Sequence, residues 1–138
     1  MRVSGGKNQI EVSAALIFHD GKLLITQRHA DDHLGGLWEF PGGKREPGET
    51  FEQCLVREIR EELGIEVEVG GLFEGISHAY PDKAIHLKFF VCKLISGELQ
   101  ALDCAGFKWV TKADLANFEF PAADARLLEK LRELEFKL

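Results

Sequence analysis

Cysteine is scarce in this chain: three residues in 138, Cys54, Cys92 and Cys104, with no C-x-x-C pair. That pattern excludes a zinc-finger arrangement and a disulfide framework, and the three read as buried thiols. Long apolar runs are missing too. No stretch approaches a membrane span, and the opening MRVSGGKNQIEV has no apolar signal core, so a cytoplasmic protein without membrane contact is expected. Basic residues are in deficit, 17 Lys and Arg against 23 Asp and Glu, a net charge of −6. This disfavours the basic stripe that extended nucleic acid requires. A small phosphorylated molecule remains compatible if a divalent cation supplies the positive charge. Internal repeats and low-complexity segments are absent. With 45% hydrophobic residues, the composition and length suit one globular domain over 1–138. Nothing in the pattern fixes an oligomeric state.

The chain alternates between strand and helix periods. IEVSAALIFH (10–19) reads as a strand, DGK (20–22) as a hairpin turn and LLITQR (23–28) as its returning partner. A loop, HADDHLGG, leads to a short extended LWEF (37–40). Pro41-Gly42-Gly43 is expected to break regular structure, and EPGE (46–49) to turn. A helix opens near Thr50, which has capping-box spacing to Gln53. Leu55, Ile59 and Leu63 form its buried stripe, and Gly64 stops it. Further strands follow, with a bulge or bend at Gly70-Gly71, then AIHLKFFVCKLI (84–95) and FKWV (107–110). Thr111 is the expected N-cap of a short helix, and an amphipathic helix begins near Ala122. The fold class is α+β, a mixed sheet with two substantial helices.

Within the first helix, REIREELG gathers Glu58, Glu61 and Glu62 on one flank beside the apolar stripe. Alone, such a face is an ordinary solvated surface, and Arg57–Glu61 an ordinary i,i+4 pair. A cation between the carboxylates would turn their repulsion into attraction, and hard divalent ions take oxygen ligands shared with phosphates. The surrounding positions decide between these readings. Gly43, Glu49, Arg57, Glu58, Ile59, Glu61, Glu62, Gly64 and Ile65 fit G-x5-E-x7-R-E-U-x-E-E-x-G-U, with U a bulky aliphatic residue. This resembles the Nudix box at every fixed position. WEFPGGK, ITQR and FPAADARLL extend the resemblance over nearly the whole chain. It is most similar to the MutT-type branch and its cytidine-triphosphate-hydrolysing relatives.

The resemblance implies a Nudix fold, its mixed sheet sandwiched between helices. It also implies hydrolysis of a nucleoside diphosphate linked to another group, with Mg²⁺ or Mn²⁺. On this basis Glu58, Glu61 and Glu62 are metal-binding carboxylates, joined by the backbone carbonyl of Gly42 or Gly43. Arg57 and Glu49 are expected behind them, with Arg57 orienting Glu58 and Glu49 through bidentate hydrogen bonds. Asp103 stands near the place where MutT-type enzymes carry a glutamate. It is open to three roles: metal ligand, base acting through a second water, or turn residue. Arg28 matches a substrate-contacting arginine, and a salt bridge at the strand end is the alternative. His33 lies in the loop near the mouth. Trp38 and Phe40 flank the glycines; one of the pair is expected in the core and one to stack on a base, Phe40 being the candidate. Tyr80 and Lys83 border the base pocket, with lysine replacing the planar fork of arginine.

Asp124 matches a position near the base where relatives specific for oxidised guanine carry asparagine. An ionised carboxylate only accepts hydrogen bonds, which suits the two donors of a guanine edge. A protonated one complements cytosine, and the cytidine-preferring relatives share the Ala-Asp pattern. Capping the last helix is a third role. The leading expectation is 8-oxo-dGTP hydrolysed to the monophosphate and pyrophosphate, with CTP or dCTP second. Other diphosphates, a lesion-sensing domain without activity and a diphosphate isomerase on the same fold are the rivals. The isomerase lacks its cysteine–glutamate pair here.

Overall fold

In the computed structural model of the chain, residues 8–79 and 81–136 are described. A mixed seven-stranded sheet forms the centre of the fold. Strand β1 (Asn8–His19) turns at Asp20 and Gly21, both with positive φ, into β2 (Lys22–Gln27). Strand β3 (Trp38–Glu39) pairs with β2, placing Glu39 opposite Thr26. Strand β4 (Gly42–Lys44) pairs antiparallel with the middle of β1, Gly42 opposite Ala14 and Gly43 opposite Ser13. Helix α1 (Phe51–Leu63) follows. The long hairpin of β5 (Glu66–Ala79) and β6 (Lys83–Ser96) then lays β6 parallel to β1 from end to end. Strand β7 (Gly106–Val110) covers β2, and α2 (Ala125–Arg132) closes the chain.

Side-chain alternation on β1 builds two cores. Ala14, Leu16 and Phe18 face α2 with Leu23, Ile25, Phe89, Leu127 and Leu131. Ala15 and Ile17 face α1 with Leu24, Leu55, Ile59, Leu63 and Phe90. Each large aliphatic side chain so buried contributes about 1.5–3 kcal/mol. The sheet is thus held between the two helices.

Helix α1 begins where the sequence predicts. Gln53 N–H donates to Thr50 Oγ1, and Thr50 N–H donates to Gln53 Oε1, both at 3.0 Å. Gly64 ends the helix with φ of 71° and donates its N–H to the Arg60 carbonyl. The register of β5 against β6 shifts between Val69 and Leu72, at the expected Gly70-Gly71 bend.

Three local expectations change. Gly42 and Gly43 do not break the chain but form β4. Their lack of side chains lets them lie flat against β1, since a Cβ at Gly42 would collide with the Ser13 backbone. The segment after Thr111 is a 3₁₀ turn at Asp114–Asn117, although Thr111 Oγ1 does accept from Asp114 N–H at 3.2 Å. The final helix is preceded by a separate 3₁₀ turn, Ala122–Asp124, which narrows α2 to two turns. Among the described residues, no helix is long and apolar enough to cross a membrane.

Candidate active site

The site forms where β4 passes under one flank of α1. Gly43 touches Glu58, and the space a Cβ at 43 would need is filled by the Glu58 carboxyl group. One turn along, Glu62 reaches Gly42, whose N–H donates to Glu62 Oε1 at 3.3 Å. Glycine is therefore required at 43 by the close approach of the Glu58 carboxylate and at 42 by the close approach of the Ser13 backbone.

Arg57 fixes the outer side of this cluster. Its Nε donates to Glu49 Oε2 at 2.6 Å and its Nη2 to Glu49 Oε1 at 3.0 Å, a bidentate pair. Nη1 donates to Glu58 Oε2 at 2.9 Å and to Glu61 Oε1 at 3.2 Å, and Nη2 also reaches the Lys44 carbonyl. The Arg57 guanidinium, with a backbone hydrogen bond from Glu46, holds the Glu49 carboxyl down at about 2. Thr50, Arg57 and Gly64 thus set where the helix starts, how its acidic flank is braced and where it stops.

The three box glutamates do not share one environment. Glu62 is 8% exposed. Burial, aided by the charges of Glu39, Glu58 and Asp103 and opposed by the Gly42 hydrogen bond, pushes its carboxyl up to about 8. Glu58 is half-buried and also raised by burial, with Arg57 opposing. Glu61 is exposed and turned outward to Arg57. Among the described residues, no three acidic, histidine or cysteine side chains converge as a finished metal site. The donor set nevertheless suits a hard cation. A buried carboxylate with one long hydrogen bond and acidic neighbours gains most from divalent charge, and Glu58 and Glu62, both packed on β4, offer oxygen ligands.

The other predicted residues scatter. Asp103 is beside Glu62 through the backbone, its N–H donating to the Glu62 carbonyl at 3.2 Å. Its own carboxylate is 80% exposed, 3.3 Å from His29 Nε2. Arg28 forms the strand-end salt bridge, Nη1 to Glu39 Oε1 at 3.0 Å, and its Nε donates to the His33 carbonyl at 2.7 Å. The His33 side chain is exposed. Phe40 does not offer a free stacking face. It is 5% exposed, stacked on Phe120 at 5.2 Å and edge-on to Phe89, because it faces the α2 core. Trp38, packed edge-on against Phe118, is the half-exposed member of the pair. Lys83 opens β6 opposite Asn8, six register positions from the Ala14–Gly42 pair, or about 20 Å along the strand, and is not brought to the carboxylates. Tyr80 lies outside the described residues.

Asp124 is 8% exposed at the start of α2, yet it makes no capping hydrogen bond. Burial, with the nearby charge of Glu39, pushes its carboxyl up to about 6. Glu39 itself goes unmarked by the motif. It sits half-buried in β3, raised by burial with Arg28 opposing, and its field reaches both Glu62 and Asp124. The only hint in the sequence is a carboxylate wedged between two aromatics in WEF.

Comparison with known proteins identifies the family and the fold. The NUDIX domain model matches residues 13–130. The chain is 42% identical to the CTP pyrophosphohydrolase of Escherichia coli (strain K12), covering 91% of this chain and 93% of the relative. It is 35% identical to the 8-oxo-dGTP diphosphatase of the same organism, covering 91% and 98%. The solution structure of the E. coli ORF135 protein superposes with a TM-score of 0.77 at 40% identity, over 93% of this chain and 91% of that one. The α+β sheet between helices described above is the fold of these relatives. The chain belongs to the NUDIX domain family and is one of its pyrophosphohydrolases.

Proposed function

We propose that the whole chain, 1–138, serves as one catalytic domain. It hydrolyses a nucleoside triphosphate to the monophosphate and pyrophosphate in the cytoplasm, using Mg²⁺, with Mn²⁺ able to substitute. The observation that carries this reading is the pairing of Glu58 and Glu62 against Gly43 and Gly42, a set of oxygen donors braced by Arg57. Glu58, Glu62, Glu61 and the Gly42 carbonyl are the residues that would hold divalent ions. When bound, such ions neutralise the phosphate oxygens and lower the pKa of an attacking water. Arg57 and Glu49 keep Glu58 in one orientation, so no reorganisation is required as charge develops. Asp103, exposed, beside Glu62 and paired with His29, would act on that water as a base on leaving the imidazole. Arg28 would contact a phosphate or sugar oxygen.

For the base, 8-oxo-dGTP is the leading substrate. Asp124 supports it, being buried, uncommitted to capping and able to accept from both donors of a guanine edge when ionised. CTP or dCTP is the second reading, favoured by the 42% identity to a CTP pyrophosphohydrolase. A carboxyl raised to about 6 keeps enough of its protonated form near neutrality to pair with cytosine N3. Measuring kcat/KM for 8-oxo-dGTP, dGTP, CTP and dCTP with Mg²⁺ separates the two. Release of inorganic phosphate in place of pyrophosphate would reject both.

A further inference from the structure

Glu39 is acidic in a place where the triphosphate would bring more negative charge, and no fixed position of the Nudix box accounts for it. It is held in a specific network. Its Oε1 accepts from Arg28 Nη1 at 3.0 Å, both side chains being under a third exposed. Arg28 Nε is taken at the same time by the His33 carbonyl at 2.7 Å. The backbone closes around this pair: Arg28 N–H donates to the Leu37 carbonyl, Gly36 N–H to the Arg28 carbonyl, and Gln27 Nε2 to the Gly36 carbonyl. The guanidinium is thus gripped on two edges of its plane. Among the described residues, Nη2 has no hydrogen-bond partner, so one donor edge keeps a preset direction.

Strand β3 also ties this pair to both halves of the site. Trp38 N–H donates to the Glu119 carbonyl at 2.8 Å, anchoring the segment that runs to Asp124. Three residues after Glu39 the chain reaches Gly42, in contact with Glu62. A carboxylate here aligns a cation without disturbing either end.

Building on the triphosphate reading above, we infer that Glu39 is a positioning residue: it orients the Arg28 guanidinium so that Nη2 presents a donor to an oxygen of the bound nucleotide. Glu39 does not touch the substrate. The Arg28–Glu39–His33 clamp prevents the guanidinium from rotating and so lowers the ordering cost of binding.

The test combines Glu39→Gln, Arg28→Ala and the double variant in the full chain. Steady-state kinetics with Mg²⁺ are read alongside calorimetric Kd for the α,β-methylene analogues of 8-oxo-dGTP and dCTP. Glu39→Gln should raise KM and Kd roughly tenfold, with kcat within about threefold of wild type. The double variant should be no weaker than Arg28→Ala alone, because Glu39 acts through Arg28. Arg28→Lys should also lose roughly tenfold in Kd, since an ammonium cannot hold both partners and offer a planar third donor. It serves as the check if Glu39→Gln fails to fold. An unchanged Kd in Glu39→Gln, effects that multiply in the double variant, or a collapse in kcat alone overturns the inference. Should wild type bind an analogue but release no pyrophosphate, the reaction assigned above fails while the Kd values still judge Glu39. Binding of neither analogue by wild type overturns both.

Discussion

Gly43 and Glu58 occupy one space: the carboxyl group of Glu58 lies where any side chain at 43 would have to go. Gly43→Ala should therefore displace a flexible side chain while sparing the backbone. Turnover should fall by about 10²-fold or more with only a modest loss of Tm. Gly42→Ala differs, since its Cβ would meet the Ser13 backbone and force β4 from β1. That variant should lose stability as well as activity. Thermal melts beside kcat/KM distinguish the two.

Glu58→Gln and Glu62→Gln should each lower kcat by orders of magnitude and leave the circular dichroism spectrum unchanged. Glu62→Gln removes a buried, raised carboxyl and should not lower Tm. Near-normal turnover in both variants would sink the metal assignment.

Arg57→Lys keeps the charge but not the fork. The bidentate pair with Glu49 and the simultaneous bond to Glu58 cannot both survive. About a 10- to 100-fold fall in kcat/KM is expected, with KM for the divalent ion rising more than KM for nucleotide. A titration of activity against Mg²⁺ checks this.

Asp124 makes stability depend on pH. Its folded pKa is about 6 against an ordinary 3.8, so the native state holds the proton longer than the unfolded chain. Its contribution is fully present below pH 4 and is lost as pH rises through 6, on the order of 3 kcal/mol in total. Asp124→Asn removes that slope. Urea melts at pH 4 and pH 7 should show the variant gaining on wild type only at the higher pH. Guanine-over-cytosine preference in wild type should likewise grow between pH 5 and pH 7.

Much of this was legible because it is local. Thr50, Gln53 and Gly64 mark the ends of α1 by their own chemistry, and alternation along β1 separates the two cores. The β4 strand was not legible, since Gly42 and Gly43 gain their conformation from a partner thirty residues away. For the same reason Phe40 reads as an open aromatic until Phe120 covers it. The box positions name the carboxylates without showing that Glu61 turns outward while Glu62 is buried. Glu39 and His29 escaped notice because their partners, Arg28 and Asp103, are neighbours only through the sheet.

The most direct test of the account is product analysis of 8-oxo-dGTP, dGTP, CTP and dCTP turnover with Mg²⁺, by chromatography, on wild type and Glu58→Gln together. Nucleoside monophosphate and pyrophosphate are expected in equal amounts from 8-oxo-dGTP or a cytosine nucleotide, and almost none from the variant. Phosphate and a diphosphate as products, or equal turnover by Glu58→Gln, would contradict it.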